Sequence, residues 1–345
     1  MTPQDEAAPA ITQDDAVRSA PSWWHRLVRS RRTHTTVCWV LVVLWAIFAI
    51  IRLFGLEHTY YLDIFMAFTP YVTIATVIPI AMAALMRRWP ALIVAVATLI
   101  ALMALFIPRV VGSPDPGNGP EIRIASQNMK LGGADVDQII QLVRDQHVDV
   151  LALEEFTPQA QRRIERAGIL ALLPYSATHP LLGATGSAIY SRYPLAAAGY
   201  MPLAGWFGSE YATVSVPGAL PFQFYAVHAD APALRSENGV WHESLAQQPA
   251  ATPKGTVRIL AGDFNSTFDQ APFRAVAAKG YTDVASQLGD GLETTWPYDG
   301  RPLPPITLDH ILVDPRVGAV SFGTRVTRGT DHKAIYATLT LPKSS

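Results

Sequence analysis

Eight side chains in the second part of the chain carry the types that phosphate-ester hydrolysis needs: Asn128, Glu155, His228, Asp263, Asn265, Asp309, Asp331 and His332. Nearly all stand at the end of a short apolar run, or just past it. In "LAGDFNST" an apolar stretch ends in a glycine, then an acid, Phe264 and an amide. Alternation along a strand sends Asp263 and Asn265 to one side and Phe264 to the other. A turn explains Gly, Asp and Asn equally well when this stretch is taken alone. The recurrence of the pattern favours a shared site. "EIRIASQN" ends in Asn128, "DVLALEEF" in two carboxylates, and "FQFYAVHA" in His228, while "LDHILVD" opens on Asp309.

The chemistry follows from the residue types. A phosphate needs a metal to neutralise it, an activated water, and help for the leaving oxygen. The carboxylates among them are the expected ligand type for a hard divalent cation. Asn128 can donate to a metal-bound phosphate or ligate through its carbonyl oxygen.

Those residues need strands to present them. Residues 121–345 alternate strand-like and helical stretches, and "DVDQIIQLVRDQHV" shows one apolar helical face at Val136, Ile139, Ile140 and Val143. Two packed sheets would collect the strand ends along one rim. Within this segment 13 Arg and 5 Lys stand against 13 Asp and 8 Glu, a net of −3. That balance, with no basic run, speaks against a surface built to grip a nucleic-acid duplex.

The order "SQNMK", "DVLALEEF", "GSAIYSRYPL", "AVHADAP", "GDFNST", "TWP", "LDHILVD", "TDHKAI" resembles the endonuclease/exonuclease/phosphatase superfamily over residues 121–342. That group includes DNase I, exonuclease III, neutral sphingomyelinases and inositol-polyphosphate 5-phosphatases. The resemblance implies an α/β fold, a four-layer sandwich of two central sheets flanked by helices, and Mg²⁺ (or Mn²⁺) as cofactor. It implies that Glu155, Asn128 and Asp331 serve the metal and that Asn128 and Asn265 bind substrate. Asp263 would orient or deprotonate the attacking water, and Asp309 would hold the His332 imidazole. His228 would donate to a phosphate oxygen or the leaving group. Two positions depart from the pattern. Glu154 stands where the family usually has Gln, with its side chain expected to turn away from the site, and His310 replaces a common aromatic.

The first third of the chain reads differently. The protein is half hydrophobic and 16% charged, and the apolar excess lies before residue 112. Residues 37–51, 64–86 and 89–108 are each about as long as a bilayer crossing requires, predicting three transmembrane helices. Arginines in "HRLVRSRR" and at Arg87 and Arg88, against no Lys or Arg in the loop "FGLEHTYYLD" between the first two runs, predict the N-terminus inside and the later domain outside. The divisions expected are a cytoplasmic tail at 1–35, with residues 1–22 disordered, a membrane region at 36–111, a Pro/Gly linker at 112–120, and a catalytic domain at 121–345. The single cysteine, Cys38, reads as a membrane-core hydrophobe, and His147, His179 and His242 as surface or packing residues.

Three spans before such a domain are similar in arrangement to the VanJ-type membrane proteins of actinomycetes. That resemblance implies a role in glycopeptide resistance and a lipid-linked cell-wall substrate. A tethered domain would meet membrane lipid phosphates at high effective concentration. The reading is an outward-facing, multi-pass phosphodiesterase or phosphatase of lipid phosphates. The alternatives are a surface nuclease on DNA or RNA, and a binding or resistance protein that kept the fold without catalysis.

Overall fold

The computed structural model describes residues 31–344. The expected disordered tail and most of the first basic run lie outside the described residues.

The N-terminal segment is helical: α1 (Arg31–Phe54), α2 (Tyr60–Met66), α3 (Thr69–Ala75), α4 (Val77–Leu85) and α5 (Trp89–Val111). Two helices are long and apolar enough to cross a membrane, Thr33–Phe54 and Trp89–Val111, with mean hydropathy 2.6 and 2.7. The third expected run is not one helix. Tyr60–Met66 and Thr69–Leu85 meet at 70°. Pro70 accounts for the break, because it has no N–H to donate to the preceding turn. Ala67 and Phe68 close the first piece with i→i+3 bonds to Ile64 and Phe65. Among the described residues there are thus two continuous candidate spans, and a third only if the bent pair counts as one.

Residues 31–48 and 75–99 belong to one compact unit. Its interior is Cys38, Val42, Ala83, Ala91 and Ala95, small side chains that let helices approach closely. Val40, Leu44 and Ile93 point outward and are exposed, as lipid-facing residues would be.

The other unit comprises Ala49–Ile74 and Ile100–Ser345. It therefore takes in the helix ends and α2 as well as everything after the linker. Its strands are β1 (Glu121–Asn128), β2 (Val150–Glu154), β3 (Tyr175–His179), β4 (Ser187–Ser191), β5 (Leu195–Pro202), β6 (Gly208–Val214), β7 (Phe222–His228), β8 (Val257–Asp263), β9 (Thr282–Asp283), β10 (Asp309–Val313), β11 (Gly318–Val326) and β12 (Lys333–Thr340). They form two six-stranded sheets, ordered β11-β12-β1-β2-β4-β3 and β5-β6-β7-β8-β10-β9. Each sheet mixes parallel and antiparallel pairs.

The alternation of each strand explains the layering. Ile122 and Ile124, Val150 and Ala152, Phe222 and Phe224, Val257 and Ile259, and Ile335 and Ala337 fill the space between the sheets. Opposite-parity residues Leu151 and Leu153 meet α6 (Val136–Asp145) and α7 (Pro158–Arg166) on one outer face. Val227 and Leu260 meet α8 (Asn238–Ala246) and α9 (Ala271–Ala277) on the other. Two mixed sheets flanked by helices give the expected α/β sandwich.

Candidate active site

The same parity that builds the core carries polar side chains to its rim. On β7 the inward series Phe222, Phe224, Ala226 continues to His228; on β8, Val257, Ile259, Ala261 continues to Asp263. Strand register then aligns them. His228 pairs with Asp263 across the parallel β7–β8 ladder, and Asp309 pairs with Asp263 across the antiparallel β8–β10 ladder. In the other sheet Asn128 is level with Glu154. Gly262, at φ 149°, lets β8 approach β7: a Cβ there would stand 2.0 Å from the Val227 carbonyl oxygen. A glycine must therefore precede Asp263.

The turn and site readings of "GDFN" prove to be one structure. The Asn265 N–H donates to Asp263 Oδ1 at 2.8 Å, an Asx turn, and Asn265 sits at φ 47°. Its Nδ2 donates to the Ala229 carbonyl at 3.0 Å. Glu155 likewise leaves β2 at φ 53°. A non-glycine residue in this region costs roughly 1–3 kcal/mol and persists only where its surroundings hold it.

Asp263 is the centre of the constellation. Asn128 Nδ2 donates to its Oδ2 at 3.0 Å, His332 Nε2 lies 3.7 Å from that oxygen, and His228 Nε2 lies 3.9 Å from it. His332 Nδ1 is 2.9 Å from Asp309 Oδ2. All of these groups are buried. Burial works against a charged His332, but the Asp309 and Asp263 carboxylates outweigh it and raise its pKa to about 10. Burial, reinforced by the neighbouring His332, lowers His228 to about 3, so that ring is neutral at pH 7. The Asp263 carboxyl is pushed up by burial, with the His332 charge pulling it back.

Glu155 faces the same cavity. Its Oε1 accepts from Asn128 Nδ2 at 3.2 Å and its Oε2 from the Leu131 N–H at 2.6 Å. Burial raises its pKa and the nearby Asp331 adds to that. The Glu155 and Asp263 carboxylates supply oxygens that suit a hard divalent cation, while Asn128 turns its Nδ2 to them and its Oδ1 accepts from the Lys130 N–H at 2.8 Å. Separately, ligand atoms of Asp263, Asp309 and His332 lie within 4.8 Å of one another, a second group able to hold a metal ion. Asp331 is a wall residue: its Oδ2 accepts from Trp296 Nε1 and from Arg301, each at 3.0 Å, with Lys130 Nζ at 3.7 Å.

Glu154 corrects one expectation. Val150 and Ala152 point between the sheets, so Glu154 does too, beneath the site rather than away from it. Both its oxygens accept from Ser126 Oγ at 3.0 Å. Burial raises its pKa well above the ordinary value, and the Asp309 and Asp263 charges raise it further. His310 is buried behind the loop that follows β8, bonded to the Ser266 carbonyl at 3.0 Å and packed on Phe273. His179 stacks on Tyr200. His242 does more than pack: its Nε2 lies 3.0 Å from Asp63 of α2.

Sequence reading missed the cavity's second half. A cleft of about 790 Å³ is lined by Glu155, His228, Asp263, Asn265, Asp331 and His332 on one side. Ile64, Ala67 and Phe68 of the α2 corner line it as well, with Leu303, Ile306 and Leu308. A charge-free run resembling a membrane span gave no signal of this.

Three of the solved structures similar in fold, each at a TM-score of 0.50, illustrate the likeness. The endonuclease/exonuclease/phosphatase from Beutenbergia cavernae is 19% identical, with 64% of this chain and 72% of that one covered. The mannosyl-6-phosphatase of Bacteroides thetaiotaomicron is 17% identical, covering 64% and 100%. D. rerio TDP2, complexed with single-strand DNA product, is 19% identical, covering 64% and 98%. No curated protein sequence matches. The model of the Endonuclease/Exonuclease/phosphatase family matches residues 125–332, more than half of the chain and every polar residue of the site. With that match over two six-stranded sheets whose strand ends meet at Asp263, the chain belongs to the Endonuclease/Exonuclease/phosphatase family.

Proposed function

We propose that this chain is a membrane-anchored, outward-facing, Mg²⁺-dependent hydrolase of a phosphate ester or diphosphate, carried by a lipid or lipid-linked cell-envelope intermediate. The observation that carries the reading is the Asp309–His332–Asp263 row facing His228, with Glu155 and Asn128 on the same cavity. Glu155 and Asn128 would hold the metal, which when bound supplies charge neutralisation to the phosphate. Asp263 takes the proton of the attacking water as its oxygen bonds to phosphorus. His332, kept as imidazolium by its two carboxylates, stabilises the charge that develops and protonates the leaving oxygen. Neutral His228 and the second Nδ2 hydrogen of Asn265, whose first is given to the Ala229 carbonyl, donate to phosphoryl oxygens.

The anchor has its own support. Arg52 at the end of α1 and Arg109 at the end of α5 both pair with Asp269, at 3.0 and 3.1 Å. On this reading the two helix ends lie on one side of the membrane. If Trp89–Val111 crosses, the chain between must cross as well, and Thr69–Leu85 is the segment available for it. Three crossings with arginine-rich inner ends leave the catalytic unit outside. A role in glycopeptide resistance would follow from hydrolysis of a cell-wall lipid intermediate.

The test is the full chain in nanodiscs with Mg²⁺ or EDTA, offered a polyprenyl diphosphate, sphingomyelin and plasmid DNA. We expect metal-dependent phosphate release from the polyprenyl diphosphate, lost in Glu155→Gln. Nicked plasmid with both lipids untouched would replace this reading by a surface nuclease.

A further inference from the structure

The cavity that holds the catalytic side chains has a wall that hydrolysis does not require. Ala67, Ile306 and Leu308 are buried together, with Phe68, Tyr71 and Trp296 packed against them. The wall is fixed from behind, since the Tyr71 hydroxyl donates to the Pro305 carbonyl at 2.6 Å. α2 is held to the same unit by Asp63, which accepts from Asn238 Nδ2 at 2.8 Å and lies 3.0 Å from His242 Nε2. Its backbone carbonyl also accepts from Gln270 Nε2 at 3.0 Å, within the catalytic loop.

The charges around the cavity point the same way. Lys130 is the one Lys or Arg that lines it among the described residues, and it is committed to Asp299 at 2.9 Å. Arg301 at the rim is bound to Asp299 and Asp331, at 2.6 and 3.0 Å. A polyanion tracked along its backbone would need cations free to meet successive phosphates. This cavity offers apolar side chains instead, with polar groups gathered at one end, the pattern of a pocket for an amphiphile.

We infer that Ile64, Ala67, Phe68, Leu303, Ile306 and Leu308 form a subsite for an apolar chain that begins within a few bonds of the scissile phosphate. The inference rests on the hydrolase reading and deepens it. Half of this wall comes from the segment joining the membrane helices, outside the 125–332 range matched by the family. Substrate choice is therefore set by the anchor segment as well as by the hydrolase domain. Each methylene buried against such a wall is worth about fourfold in binding.

The experiment compares farnesyl diphosphate with p-nitrophenyl phosphate, using the full chain in nanodiscs, since detergent would compete for the subsite. The wild type should favour the farnesyl ester by at least about 100-fold in kcat/KM, a conservative reading of the methylene increment. Ile64→Asn and Phe68→Ser should each lower that ratio by about tenfold or more on the same scale, with folding checked by thermal melt. Variants and wild type share the same partitioning of substrate into the bilayer, so a lowered ratio reads the wall. In parallel, binding of methyl-, hexyl- and dodecylphosphonate is followed by thermal shift. Affinity that rises with chain length in the wild type, and flattens in the variants, supports the subsite even if neither ester is cleaved. Affinity independent of chain length, or a kcat/KM ratio untouched in both variants, overturns it.

Discussion

Replacing Asp309 by Asn tests the arrangement most directly. Asp309 Oδ2 is 2.9 Å from His332 Nδ1, and both groups are buried. The amide can still accept a hydrogen bond, so the ring keeps its orientation, but the charge opposite the imidazolium is gone. For a pair about 4 Å apart at an effective dielectric of 20, that charge is worth about 4 kcal/mol, or roughly 10³-fold. Asp263, 3.7 Å from Nε2, retains part of the effect. Asp309→Asn should therefore lose roughly 10²–10³-fold in kcat, and His332→Ala roughly 10²–10⁴-fold, the span of a positioned proton-transfer group. Because Asp309 acts through His332, the double variant should fall within about threefold of His332→Ala alone. The assay is initial rates on p-nitrophenyl phosphate and bis(p-nitrophenyl) phosphate with Mg²⁺, each variant checked by thermal melt. A double variant worse by the full product of the single losses would mean that Asp309 acts independently, as a metal ligand for example.

Asp269→Asn should cost about 3–5 kcal/mol, the penalty for breaking a buried pair, because it leaves Arg52 and Arg109 facing each other; an unchanged denaturation midpoint for the full chain would refute that. Burial tends to raise the Asp283 pKa, but hydrogen bonds from His310 and Ser286 hold it below the ordinary carboxylate range. A folded-state pKa below the unfolded one gives stability that is present above the unfolded value, about pH 4, and lost as pH falls through the folded one. Asp283→Asn should accordingly flatten the acid limb of the stability profile below about pH 4, and an acid limb identical to wild type would contradict it. For the topology, a reporter active only after export, fused behind Ser345, should work, whereas activity of a cytoplasm-only reporter there would reverse the orientation.

Much of the site is legible in the amino-acid sequence, for a local reason. On β7 and β8 the residues Phe222, Phe224, Ala226 and Val257, Ile259, Ala261 alternate with period two, and that parity alone puts His228 and Asp263 on the inner face. The roles of these residues rest on the motif order and its resemblance to a family, not on periodicity. Two expectations need amending: the direction of Glu154 and the single straight helix at 64–86. Glu154 obeys the parity of Val150 and Ala152, so its side chain stays beneath the site, while Glu155 reaches the cavity only because the chain leaves β2 at positive φ. The run at 64–86 has no charge, and composition cannot separate a membrane span from a wall that must bind something apolar. Pro70 is the residue that signals the bend.

What this sequence determines by itself is local: which residues alternate into a core, which polar groups end each strand, and which stretches are apolar enough to enter a membrane. The distances that make a site are not local. Asp263 lies between His228 and Asp309 because β7 and β10 both pair with β8 in one register, and beneath Asn128 because a second sheet packs face to face with the first. The wall of Ile64, Ala67 and Phe68 exists because Asp63 and Tyr71 bond to residues far along the chain. Side-chain direction repeats every two residues along a strand, whereas the separation between strands is set by ladders that join His228 to Asp263 and Asp263 to Asp309, and by packing that joins Asn128 to Asp263.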